Sequence, residues 1–172
     1  MKRSEIKDAH ENSVLESFKK FYLDIGNTIE IIEKPEPPDA IAIINGSKTW
    51  IEITDAFFSP ELAESITTYA AEDKTHKPVP KANRFVMTPD TQFSNVLVNV
   101  IKKKYDKKSI GKIYKKFGSG ILLVGIINPF SYSEELVKTE RQRILDSIKT
   151  KEKRFFEIYF YEVNTHEFHQ LI

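Results

Sequence analysis

Two acids, Asp39 and Glu52, flank an Asn45-Gly46 step in the run DAIAIINGSKTWIEIT. Asn-Gly is a strong two-residue hairpin signal, because both residues tolerate positive φ. Ile-rich strands paired antiparallel around that turn set Asp39, six residues before it, opposite Glu52, six residues after it. Carboxylates side by side repel unless positive charge sits between them. A hard divalent cation such as Mg2+, or Mn2+ in its place, meets that need, since it takes oxygen ligands and keeps several waters. Such an ion can activate water and neutralise charge on a phosphate. The plainer alternative is a solvent-facing acid, with Trp50, Glu52 and Thr54 on an outer row and Ile51 and Ile53 on the core row.

Two residues elsewhere bear on that choice. Glu11 precedes Leu15 and Phe18 by four and seven positions, on the stripe that a first helix turns inward. A carboxylate there is costly without a partner. Glu16 projects from a different face. Lys104 follows Leu97 and Ile101 on the apolar stripe of a later helix and can reach back toward the strands, while Lys102 and Lys103 fan outward. Its alternative role is to snorkel to solvent from the helix end.

The elements that must hold these residues read in order as helix, three strands, helices, buried strand, helix and strand. SEIKDAHENSVLESFKKFYLDIG has helical spacing and ends at Gly26. NTIEIIEK, DAIAIING and KTWIEIT form a three-strand meander. Ser59 is an N-cap with Pro60 at the first helical position, and KTHKPVPKAN is a loop. RFVMT reads as a short strand, and DTQFSNVLVNVIKKKYDKK as one long helix. Gly118-Ser119-Gly120 lacks the Lys-Ser/Thr of a phosphate loop and is a turn. ILLVGII is apolar throughout, as in a strand buried on both faces. SYSEELVKTERQRILDSIKTKEK is an amphipathic helix with Ser131 and Glu134 at capping-box spacing. RFFEIYFYEV and HEFHQLI close the chain as strands. The expectation is one mixed α/β domain over residues 1–172, with helices on both faces of a sheet.

Bulk properties suit that picture. At 172 residues, with 40% hydrophobic and 30% charged residues, the chain can bury a core as an ordinary soluble domain. No apolar run approaches the roughly 20 residues of a membrane helix, and no apolar segment follows the basic N-terminus as in a signal peptide. Without cysteine there is no disulfide or thiolate metal site, so a cytoplasmic location is expected. His166 and His169 lack a third ligand and read as surface histidines. Net charge is only +1, but it is unevenly spread. Residues 1–72 hold fourteen acids against seven Lys or Arg, whereas KKKYDKKSIGKIYKK, residues 102–116, holds eight lysines and one acid. Lys102, Lys103, Lys107, Lys108 and Lys112 could meet a phosphate backbone there, or form a merely solvated helix face.

A helix bearing Glu11, then Pro38-Asp39, then Glu52-Ile53-Thr54 after a hairpin, resembles the PD-(D/E)XK nuclease superfamily. The resemblance extends from residue 3 to about residue 127. It implies a restriction-endonuclease-like core of helix, three-strand antiparallel meander, helix and strand, with the last helix and strands added. It implies Mg2+- or Mn2+-dependent phosphodiester hydrolysis, with Asp39 and Glu52 as metal-binding acids and Glu11 as the helix acid. One position departs from the pattern: Thr54 stands where the superfamily has lysine, and threonine supplies no positive charge. Some branches with a Glu-x-Thr step bring the lysine from a later helix, which makes Lys104 the replacement here and Lys103 the second choice. The implied partner is nucleic acid, DNA in the first instance, although nothing in the sequence separates DNA from RNA. Oligomeric state stays open, a dimer included. The alternative is an inactive module of the same fold that binds nucleic acid or protein.

Overall fold

A computed structural model of the chain describes residues 2–84, 88–128 and 130–172. Helix α1 (Arg3–Asp24) leads into strands β1 (Ile29–Glu33), β2 (Ala40–Ile44) and β3 (Ser47–Phe57). Helix α2 (Pro60–Ala70), a 3-10 turn (Lys81–Arg84), α3 (Pro89–Asp106) and α4 (Lys108–Phe117) precede β4 (Gly120–Ile127). Then come α5 (Ser133–Ile148), β5 (Phe155–Glu162) and β6 (Phe168–Gln170). The six strands form one mixed sheet in sequential order. β1, β2 and β3 are antiparallel, β3, β4 and β5 are parallel, and β6 returns antiparallel to β5.

The hairpin between β2 and β3 sets the register. Asn45 and Gly46 have φ of 49° and 80°, the left-handed pair a two-residue turn requires. Ile44 then pairs with Ser47, and Ala40 with Ile51. One further step sets Asp39 against Glu52, just past the last paired residues.

Both faces of the sheet are covered, which explains the unbroken apolar run of β4. Alternate residues divide between two clusters. Trp50, Leu122, Val124, Phe155 and Phe160 pack with Leu97 and Ile101 of α3 and with α4 and α5. Ile51, Ile53, Ile121, Leu123, Tyr159 and Tyr161 pack with Val14, Leu15 and Phe18 of α1. Truncating a core residue such as Leu97 to alanine costs about 2–5 kcal/mol. The Trp50 indole N–H donates to Gly118 O at 2.8 Å, and Gly118 closes α4 with φ of 77°.

The plainer alternative for Glu52 does not hold: the row of Trp50 and Glu52 is not solvent-facing, because α3 and α4 cover it and both residues are buried. Three details differ from the sequence expectation. The lysine-rich segment is two helices, not one, because Lys107 adopts an extended ψ of 119° between them. Helix α5 begins after Tyr132 and has no Ser131–Glu134 box; the Glu162 carboxylate of β5 accepts the Ser133 N–H instead. Strand β3 runs on through Asp55 to Phe57, because pairing with β4 continues to its end. The strand expected over RFVMT falls largely on residues 85–87, outside the described residues, while Arg84 belongs to the 3-10 turn.

Candidate active site

The end of the β2–β3 hairpin brings Asp39, Glu52 and Lys104 together. Asp39 lies just beyond the ladder, where the Ile53 amide would otherwise be unpaired, and its Oδ2 accepts that N–H at 2.6 Å. A carboxylate thus replaces the missing strand partner. Burial, and then the Glu52 charge, push the Asp39 carboxyl up to about 6; Glu11 adds to the rise, and the Ile53 amide and Lys104 oppose it.

Glu52 is more deeply placed, its side chain only 2% exposed. Lys104 Nζ donates to Glu52 Oε1 at 2.6 Å and to Ile53 O at 3.1 Å. Lys107 Nζ, at the break between α3 and α4, stands 3.5 Å from the same Glu52 oxygen. Glu52 Oε2 is buried with no hydrogen-bond partner among the described residues. An orphaned carboxylate oxygen costs about 1–3 kcal/mol or more, so one half of this group is held and the other is left open.

The helix geometry explains the lysine. Phe93, Leu97, Ile101 and Tyr105 form the buried stripe of α3, and Lys104 lies one turn past Ile101 beside it. Its ammonium reaches the middle of β3, at Glu52 and Ile53. Lys103, the second choice, is exposed and makes no approach to Glu52. Thr54 shares the row of Glu52 and is half-buried.

Glu11 is placed differently. It lines a cleft of about 320 Å3 with Asp39 and Leu15, its side chain 19% exposed and paired with Lys7 at 3.4 Å. It faces Asp39 and does not touch Glu52, and Glu16 points to solvent. No group of three or more His, Asp or Glu stands ready-made to hold a metal among the described residues.

The remaining lysines are spread along two helices. Lys103, Lys108 and Lys112 are exposed, with Lys108 and Lys112 one turn apart on α4. Lys102 is half-buried, and Lys107 is divided between solvent and Glu52. His166 Nδ1 bonds Ser17 Oγ at 2.8 Å, so that histidine ties the β5–β6 turn to α1.

Compared with protein-family models, curated proteins and solved structures, the chain has no significant match. What the site can do is therefore decided by its own donors and charges. Sequence reasoning missed the backbone of Ile53, which anchors Asp39 through N–H and Lys104 through C=O. No residue type signals such a role; only the register does.

Proposed function

We propose that this protein is a divalent-metal-dependent phosphodiester hydrolase acting on DNA. The observation that carries the reading is the buried Glu52 carboxylate, one oxygen held by Lys104 and the other without a partner among the described residues, opposite Asp39. The order of α1, three antiparallel strands, helices and β4 supports it, being the order of a restriction-endonuclease-like core. The absence of helices long and apolar enough to cross a membrane, among the described residues, is compatible with it.

The donor set fits a hard cation. Glu52 Oε2 and Asp39 Oδ1 would hold Mg2+ or Mn2+, with Glu11 across the adjoining cleft as support, and water would complete the shell. When bound, the metal would supply acidified water and neutralise phosphate charge. Asp39 must lose its proton to serve, and its raised pKa makes that step sensitive to acid. The Lys104 ammonium has three N–H donors; two meet Glu52 and Ile53 O, and the third is left for a phosphate oxygen. It supplies the charge that Thr54 cannot. Lys103, Lys108 and Lys112 would hold the strand backbone on either side.

One observation favours the non-catalytic alternative: Lys104 and Lys107 already neutralise Glu52 without a metal. Plasmid DNA incubated with Mg2+, Mn2+ or chelator separates the two. A nuclease nicks or linearises the plasmid only with metal and loses that activity in Asp39→Asn and Glu52→Gln. Intact plasmid with wild type under all metals would support the binding module, and cleavage by both variants would place the site elsewhere. A parallel structured-RNA substrate tests the choice of DNA.

A further inference from the structure

On the opposite face of β3 a second constellation converges from three elements. Asp55 of β3, Gly125 of β4 and Tyr161 of β5 share one register row across the parallel strands. Tyr161 donates its hydroxyl to Asp55 Oδ1 at 2.8 Å, reaching across the middle strand. Only glycine permits this: a Cβ on Gly125 would overlap the Asp55 carboxylate and lie 2.7 Å from the Tyr161 hydroxyl. His10 of α1 completes the group, with Nε2 3.1 Å from Asp55 Oδ2 and 3.2 Å from the Tyr161 hydroxyl. Asp55 is thereby fully engaged, and the other ring nitrogen of His10 has no hydrogen-bond partner among the described residues.

This cluster forms the polar end of a cleft of about 630 Å3 that is otherwise mostly apolar. Phe57, Ile66, Ile127 and Val163 line it, at the carboxyl ends of the parallel strands β3, β4 and β5. Open sheets commonly bind ligands beyond the carboxyl ends of parallel strands, and a large apolar cleft with a few convergent polar groups is the usual form of a small-molecule site. The lining carries three cationic side chains, Arg3, Lys7 and His10, against one carboxylate, Asp55. Lys7 is occupied by Glu11 and Glu36. The Arg3 guanidinium has no partner among the described residues; Asp73 accepts its backbone N–H instead.

We propose that this cleft is a second binding site, separate from Asp39 and Glu52, for a small apolar molecule ending in one carboxylate. The apolar body lies against the walls, and the carboxylate meets the Arg3 fork and the free ring N–H of His10. A guanidinium matches a planar carboxylate with two parallel donors. Asp55 accepts the other imidazole N–H, with Nε2 3.1 Å from its Oδ2. The Asp55–Tyr161 pair is a positioning device for that ring.

The test titrates octanoate and 1-octanol into the full chain by calorimetry. Saturable one-to-one binding of octanoate is expected, weakened about tenfold by Arg3→Ala, as for a lost charged hydrogen bond. Ala70→Trp, an exposed position on the cleft wall, should abolish it. Octanol should bind more weakly and ignore Arg3→Ala. Neither substitution touches Asp39, Glu52 or Lys104, so metal-dependent cleavage should be unchanged. Absence of saturable octanoate binding, octanol binding as tight as octanoate, or octanoate binding that survives Ala70→Trp would each overturn the proposal.

Discussion

Strand β3 carries one acid to each face of the sheet, and the two are treated in opposite ways. Glu52, toward α3, is almost fully buried, has two lysines at one oxygen and, among the described residues, no hydrogen-bond partner at the other. Asp55, toward α1, is less buried, yet both oxygens are engaged by His10 and Tyr161. A saturated carboxylate orients its neighbours; a half-saturated one in a drier place is poised to accept a cation. The proposed metal chemistry rests on the open oxygen of Glu52, and the proposed ligand positioning on the saturated carboxylate of Asp55.

Removing the lysine should disturb this contrast most. Lys104→Met strands a buried carboxylate beside Asp39 and should destabilise the metal-free protein by about 3–5 kcal/mol in urea unfolding. The double variant Glu52→Gln/Lys104→Met should recover most of that loss. If Lys104→Met alone costs nothing, the two charges are not coupled as their 2.6 Å separation implies. Gly125→Ala comes next, forcing Asp55 and Tyr161 apart at a cost of about 1–3 kcal/mol by the same assay.

Acid–base behaviour sharpens the comparison further. The Asp39 pKa is raised to about 6 in the folded chain from 3.8, so the native state binds the extra proton. The metal-free protein should therefore lose stability as pH rises from about 4 to about 6, on the order of 1–3 kcal/mol. Asp39→Asn should flatten that slope. Metal affinity should move the other way, failing below about pH 6 as the carboxyl protonates. His10 is also raised, by its hydrogen bond to Asp55. Its contribution is fully present below the unfolded value of 6.5 and is lost as pH rises through the folded value; it should be under about 1 kcal/mol, as the pair is partly exposed. His10→Gln should remove that high-pH slope and leave the one near pH 4–6 intact.

The smallest effects belong to the exposed lysines. Lys108→Ala with Lys112→Ala should leave folding unchanged and lower the log-log salt slope of DNA binding by about 2, near 0.9 for each phosphate no longer neutralised. An unchanged slope would remove α4 from the proposed backbone interface.

The Glu52 side of the comparison was the more readable in sequence. A two-residue Asn-Gly turn sets register by simple counting, so Asp39 falls opposite Glu52 without any knowledge of the sheet. Lys104 followed from helical spacing with Leu97 and Ile101. The Asp55 side was hidden for three physical reasons. DAFFSP looks like a strand ending early, because the β4 pairing that extends it is non-local. Tyr161 is one aromatic among many on β5, and only the row through Gly125 distinguishes it. His10 neighbours Glu11 on α1 yet serves another cleft, a difference of direction that residue types do not carry. The α5 cap was missed on similar grounds, since Glu162 supplies it from a distant strand.

If the open oxygen of Glu52 marks a cation site with Asp39, the protein should bind Mn2+ before any nucleic acid is present. Calorimetric titration of Mn2+ into the wild-type protein near pH 7.5, beside Asp39→Asn and Glu52→Gln, tests this directly. Saturable Mn2+ binding by wild type that is lost in both variants is the predicted result. Wild type that binds no Mn2+, or variants that bind it as tightly as wild type, would contradict the account.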